Sequence, residues 1–179
     1  MKAAIAVRAE CPGDAPAILE IVVRAYANVI YSDHREHLMI ERLRGTAAWI
    51  PPLSLLAEVG GRAVGHILLT KGDICGSGSW NESLALAPLS VVPDYQSRGV
   101  GKRLVESACQ KALELGFGTI VLVGLPSYYP RYGFEPLSRY PITLPFDAPD
   151  ENCMVLPLRP GALDGVAGVV KYAKEWLEH

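Results

Sequence analysis

The stretch from Leu84 to Leu115 constrains this chain more than any other. It runs as an apolar segment, LALAPLSVV, a glycine-bearing turn, PDYQSRGVG, and an amphipathic segment, KRLVESACQKALEL. Leu104, Val105, Ala108, Ala112 and Leu115 recur at helical spacing, so a helix over 100–115 with one apolar face is expected, with Gly116 as its stop. A strand that feeds a helix through such a turn aims backbone N–H groups and the positive helix end at one point, a favourable place for a pyrophosphate. The run TIVLVG (119–124) reads as a strand covered on both faces, which completes a right-handed βαβ unit. Pro88 is the odd residue in the first of these strands. It has no N–H to donate, so it marks a bulge or a place where neighbouring strands separate.

The remainder reads as one domain over residues 1–176, without repeat or linker, and 177–179 resemble a purification-tag remnant. Residues 3–8 suggest an opening strand. Asp14 is placed to cap a helix over 15–29, with Pro16 in its first turn and Ile18, Ile21, Val22, Ala25, Tyr26 and Val29 on one face. Asp33 can cap a second helix that ends near Gly45. LSLLAEV and RAVGHILLT form a hairpin about Gly60-Gly61, whereas KGDICGSGSWNES reads as a loop. CMVLPL (153–158) is a further strand, and the tail GVVKYAKEW suits either a strand or a helix.

Half the residues are apolar, a fifth are charged, and the net charge is −2. Lys and Arg are scattered apart from Arg98, Lys102 and Arg103 at the glycine turn, so no nucleic-acid partner is expected. No apolar run approaches the ~20 residues of a membrane span, and the N-terminus lacks a signal-peptide cleavage region. A cytoplasmic protein with no membrane partner is therefore expected. Cys11, Cys75, Cys109 and Cys153 fit no metal spacing and are expected as small buried hydrophobes.

The glycine turn departs from two common phosphate loops. In a P-loop, Gln96 would have to be glycine and Arg103 a Ser or Thr. In a dinucleotide-binding loop, Leu104 would have to be the third glycine. The third pattern is Q-x-x-G-x-G, spanning Gln96, Ser97, Arg98, Gly99, Val100 and Gly101. Together with its strand and helix, LSVVPDYQSRGVGKRLV resembles motif A of the GNAT N-acetyltransferases. Tyr129-Pro130-Arg131-Tyr132-Gly133-Phe134 is similar to the Y-x-x-x-G-F of motif B in the same superfamily. PLSVVP, YYPRYGF and the PGALDG…GVVKY tail look like a bacterial subgroup of predicted acetyltransferases.

That resemblance implies an α/β (α+β) fold: a mixed, mostly antiparallel twisted sheet of about six to seven strands, flanked by helices, with splayed parallel strands in its middle. It implies acetyl-CoA as co-substrate and direct transfer to a primary amine of a small molecule or protein, without a metal. The backbone from Gln96 and Ser97 through Arg98, Gly99, Val100, Gly101 and Lys102 would hold the pyrophosphate. Leu89, Ser90 and Val91 would pair with the pantetheine arm, and Pro88 would end the ladder where the gap must open. Tyr129 aligns with the superfamily's tyrosine acid, although Tyr128, Tyr129 and Tyr132 can also be read as an aromatic plug. Glu82 acting through water, His66, Glu58 or ordered water alone are the candidate bases; His66 also reads as a core residue. Asp33, Glu41, Asp73 and Glu82 can attract a cationic amine or simply be surface charge. A non-catalytic CoA-sensing module is the rival reading, and a homodimer is the default assembly.

Overall fold

The structure, a computed structural model, describes residues 4–178. Residues 1–3 and 179 lie outside them, which takes in the first residue of the expected opening strand and the last of the expected tag remnant. The chain runs β1 (Ile5–Ala9), α1 (Ala15–Tyr26), α2 (Glu36–Leu43), β2 (Ser54–Val59), β3 (Arg62–Gly76), β4 (Ser79–Asn81) and β5 (Leu84–Val91). It continues through α3 (Val100–Glu114), β6 (Thr119–Val123), β7 (Glu135–Pro136), β8 (Ile142–Thr143), β9 (Cys153–Pro157), β10 (Gly168–Tyr172) and α4 (Lys174–Leu177).

The sheet has ten strands among the described residues: seven run in the order β1-β2-β3-β5-β6-β9-β7, and β4, β10 and β8 extend it from the far half of β3 beyond the six to seven expected. Neighbours are antiparallel except β5–β6 and β8–β10. Side-chain alternation along β3 assigns the helices to opposite faces. Gly65 faces α3, where a Cβ would stand 2.9 Å from a Val100 methyl and 3.0 Å from one of Leu104. The next residue, His66, turns to the other face, toward Ser54 and the α2 end at Arg44. Ile18, Ile21 and Val22 of α1 and Ile40 and Leu43 of α2 are buried in the core, as are Leu104, Val105, Ala108 and Ala112 of α3. Leu115 falls just past the end of α3 and is exposed.

β5 follows β3 along its length, and β6 follows β9 through five residue pairs. Between them, β5 and β6 are paired only at Leu84–Ile120 and Ala85–Val121. The closed end is buttressed by the buried hydroxyls of Ser83 and Thr119, 2.7 Å apart, with Ser83 also donating to the Thr119 carbonyl. Past Ala85 the two strands separate. Pro88 sits in this open part, where the β3–β5 register also shifts, and the Ala87–Pro88 peptide is cis. Its position agrees with the sequence reading.

Several local expectations are corrected. The glycine- and serine-rich segment 71–83 is not a loop: β3 continues to Gly76 and turns back into β4. Gly72 permits this, since a Cβ there would lie 2.9 Å from the Ala85 Cβ across the ladder. Helix α1 stops at Tyr26, three residues early, and α2 starts only at Glu36. Asp14 holds the N-cap position of α1, but its carboxylate turns to the Arg8 guanidinium at 2.6 Å and the Cys11 N–H at 2.7 Å. Asp33 accepts the Arg35 N–H at 2.9 Å, and Arg35 itself is the cap of α2. The tail is both strand and helix, β10 then α4, and the Trp176 indole donates to Thr70 at 3.0 Å. Of the cysteines only Cys153 is fully buried; Cys11 is exposed.

Gly65 sets how closely the first turn of α3 approaches the sheet. Gly65→Val should destabilise the protein by about 1–3 kcal/mol through overpacking. Gly13→Ala, where nothing stands within 4 Å, should cost much less. Denaturant midpoints for the two variants check the difference.

Candidate active site

A cleft of about 570 Å³ occupies the gap between β5 and β6. Leu89 and Val91 form one wall; Val123, Gly124 and Leu125 form the other. Gln96, Ser97 and Gly101 border it at the start of α3, and Ala25, Tyr26, Val29 and Tyr31 border it from the end of α1. Since α1 and α3 lie on opposite faces, the cleft passes through the sheet.

The backbone at this opening is arranged by two side chains. The Tyr26 hydroxyl donates to the Leu89 carbonyl at 3.3 Å, and the Gln96 amide donates to the Val91 carbonyl at 3.0 Å. Both carbonyls therefore point away from β3. In a strand the N–H of a residue points to the same edge as its carbonyl, so the Leu89 and Val91 N–H groups face the gap. Two donors stand there with no neighbouring strand.

The turn into α3 supplies more donors. Ser97 and Gly99 both adopt left-handed backbone, at φ 58° and 92°, which curls successive N–H groups toward one side. The first N–H groups of α3 have no acceptor within the helix, and its dipole leaves this end positive. Gly101 lets Tyr128 pack against the start of α3: a Cβ there would lie 2.5 Å from the Tyr128 hydroxyl and 3.9 Å from a Val91 methyl. Arg98 is exposed and rests over the Tyr95 ring at 5.6 Å; Lys102 is exposed, 3.8 Å from Glu106.

Tyr129 stands on the far wall. Its ring meets Tyr128 edge-on at 5.1 Å and Phe134 at 5.6 Å. Gly124 makes room, because a Cβ at that residue would stand 2.5 Å from the Tyr129 ring. Asn152 pins Gly124 from behind: its amide donates to the Gly124 carbonyl at 3.0 Å, and its carbonyl accepts the Gly124 N–H at 2.9 Å. Burial, reinforced by the neighbouring phenols Tyr26, Tyr132 and Tyr31, raises the Tyr129 pKa well above that of a free phenol. Tyr26 is likewise held protonated, by burial first and then by the Glu36 carboxylate.

Residues 16–134 match the model of the acetyltransferase (GNAT) family. The chain belongs to this family. It is 35% identical over 146 residues to YjhQ of Escherichia coli K12, named an uncharacterized N-acetyltransferase, with 80% of this chain and 78% of that protein covered. YhbS of the same strain is named in the same way and is 27% identical over 168 residues, covering 93% and 95%. The crystal structure of Escherichia coli YhbS in complex with CoA has a TM-score of 0.86 at 26% identity, over 99% of this chain and 93% of that one. A GNAT family acetyltransferase from Brucella melitensis in complex with acetyl-CoA gives 0.79 at 28% identity, over 97% and 98%. These likenesses accord with the GNAT resemblance read from the glycine turn and the Tyr129–Phe134 run.

Of the residues that the GNAT resemblance singles out, Leu89, Val91, Gln96, Ser97, Gly101 and Tyr129 are brought together on the cleft. Gly99 caps α3, and Val100 is buried beneath the turn. The Ser90 side chain turns inward and is buried. Glu82 and His66 are not brought to the site. Glu82 precedes the closed end of β5, seven residues before Leu89, which is about 20 Å along a strand. His66 is fully buried, its Nε2 2.9 Å from the Ser54 hydroxyl. That hydroxyl donates to Glu10, so the neutral imidazole carries its proton on Nε2. Glu58 pairs with Arg8, Glu41 pairs with Arg44, and Asp73 accepts the Ser83 N–H; none of them lines the cleft. Among the described residues, no group of three or more His, Cys, Asp or Glu could hold a metal ion, and no helix is long and apolar enough to cross a membrane.

Four site residues escape the sequence reading. Tyr26 looks like one more apolar position on α1, and Tyr31 follows the helix without a motif. Gly124 and Asn152 act only through the course of the chain around the Tyr129 ring.

Burial, with a smaller contribution from Arg44, lowers the His66 pKa from 6.5 to about 3. The folded protein keeps the ring neutral, whereas the unfolded chain protonates near pH 6.5. Its contribution to stability is thus whole above that pH and lost as pH falls toward 3, by up to about 1.4 kcal/mol per unit. His66→Gln should flatten the stability profile between about pH 6 and pH 4, measured by urea unfolding. An unchanged slope would contradict a buried neutral ring.

Proposed function

We propose that this protein transfers the acetyl group of acetyl-CoA directly to a primary amine, with Tyr129 as the proton donor to the departing thiol. The observation that carries the reading is the parting of β5 and β6, which sets strand donors, the start of α3 and Tyr129 around one cleft. The complexes of Escherichia coli YhbS with CoA and of the Brucella melitensis protein with acetyl-CoA support it.

The residues present suit that co-substrate. The N–H groups from Arg98 to Lys102 and the positive end of α3 suit a pyrophosphate, and Gly101 brings no side chain to the cleft. The Leu89 and Val91 N–H groups suit a pantetheine amide and a thioester carbonyl oxygen; a donor aimed at a developing oxyanion is worth several kcal/mol in comparable sites. The amine nitrogen forms a bond to the carbonyl carbon as the carbon–sulfur bond breaks. The nitrogen loses one proton and the sulfur gains one, giving an acetamide and a free thiol. Tyr129 supplies the proton to sulfur and is reprotonated from solvent. The burial that holds the phenol neutral also disfavours a thiolate beside it, so the gap between the free pKa values of about 10 and 8.5 is not widened by the whole of the phenol's shift.

The residues lining the cleft include no carboxylate and no imidazole, so the acceptor enters as its free base and sheds its surplus proton to water. The acceptor kcat/KM should rise about tenfold per pH unit up to the amine pKa, without a break near pH 6.5. A plateau above neutral pH would revive an enzymic base.

Acetyl-CoA should raise the melting temperature, and Gly101→Val should abolish that shift because the new side chain collides with Tyr128. Tyr129→Phe should retain the shift while kcat falls about 100-fold or more. An unchanged kcat would remove Tyr129 as the acid. A shift with CoA but no acetylation of any amine would point instead to a CoA-sensing module.

A further inference from the structure

The α1 side of the cleft has a composition that identifies a class of acceptor. Its wall is Ala25, Tyr26, Val29 and Tyr31, faced by Tyr129 across the gap. Among all the residues that line the cleft, the only ionisable side chains are phenols, and Tyr26 and Tyr129 are held protonated. The Glu36 carboxylate acts on Tyr26 from outside the lining and accepts the Ser32 hydroxyl. Next to this wall in the chain, Ile30 is 99% exposed, and Tyr31 itself is 75% exposed.

Each class of amine makes a different demand on such a wall. A polyamine or an aminoglycoside carries several positive charges, and each would lose hydration without a carboxylate to meet it. A lysine side chain presented on a peptide brings two hydrated backbone arms, whose donors and acceptors a wall of Ala25, Val29 and phenols can pair only in part. A single amine on an aromatic body fits all three features. Its ring packs against phenol edges and faces, its single amino group can enter uncharged, and its size suits a cleft shared with the pantetheine arm.

We infer that the acceptor is a small primary amine with one amino group on an aromatic or arylalkyl body, gripped by Tyr26 and Tyr31. This rests on the acetyltransferase reading above and adds the acceptor class to it. Tyr26 has a second part in the arrangement. Its hydroxyl already holds the Leu89 carbonyl, so an acceptor ring lying against Tyr26 is registered to the strand that presents the thioester. Tyr31 projects from the chain beyond α1 and contributes chiefly contact area.

The experiment compares 2-phenylethylamine, spermidine, kanamycin and a lysine-containing peptide, first as acetyl acceptors and then, by calorimetry, as ligands of the CoA-saturated protein. 2-Phenylethylamine should lead in kcat/KM by about tenfold or more and should be the tightest ligand. Tyr31→Ala should raise its KM about fivefold and leave the KM of acetyl-CoA within about twofold. Tyr26→Phe keeps the ring and removes the bond to Leu89, so it should lower kcat more than it raises the acceptor KM. The inference is overturned if spermidine, kanamycin or the peptide is the better acceptor, if Tyr31→Ala leaves the acceptor KM unchanged, or if acetyl-CoA binds while no panel member is acetylated. Absence of any thermal shift with acetyl-CoA would overturn the acetyltransferase reading itself, and the acceptor class with it.

Discussion

The parting of β5 from β6 is the constraint on which the site depends. A sheet interior normally satisfies every backbone donor and acceptor, and an unpaired strand edge inside a protein is costly. Here β5 stays with β3 and β6 stays with β9, and the two halves meet at only two residue pairs. Ser83 and Thr119 hold the closed end. At the open end the cost is limited by side chains, since Tyr26 and Gln96 take the exposed carbonyls of Leu89 and Val91. What remains uncovered is a short row of N–H groups, which is what gives the opening its preference for carbonyl oxygens.

The two helices on either side of this opening divide the labour. α3 begins where the open end of β5 delivers the chain, so its positive terminus lies beside the strand donors. Gly65 lets that first turn settle against the sheet, and Gly101 lets the Tyr128 hydroxyl lie against its other side. α1 packs on the opposite face and brings Tyr26 and the following Tyr31 to the other mouth. Behind them a buried polar group of Glu10, Ser54, His66 and Arg44 ties the end of β1 and the end of α2 to β2 and β3. His66 belongs to that tie. Its burial and its proximity to Arg44 both oppose a second proton on the ring, which makes it a poor base, and its Nε2–H serves as a donor to Ser54.

The repeating features of the fold could be read from the chain. Apolar residues at helical spacing placed α1 and α3, the TIVLV run placed a strand covered on both faces, and Pro88 placed the break in the ladder. The segment 71–83 was misread as a loop because glycine and serine usually mark one. In the folded protein, Gly72 and Gly76 are instead places where a neighbouring strand or segment comes too close for a side chain. Glu82 and His66 carry suitable chemistry for a base, but chemistry alone does not say on which face or at which end of a strand a side chain lies.

What the sequence by itself determined is one wall of the cleft: a strand, a left-handed turn at Gly99 and an amphipathic helix gather N–H donors from backbone that is local in the chain. Tyr129 and Phe134 stand next to the following strand and are nearly as local. Only the tertiary structure decided the other walls of the cleft. Tyr26 meets Leu89 across 63 residues, and Asn152 pins Gly124 across 28. Contacts of that span leave no period or spacing in a sequence, because they arise from packing whole elements on opposite faces of one sheet. The opening at Leu84–Leu115 is thus a gathering of N–H donors by its own backbone, and a through-sheet cleft only by its neighbours.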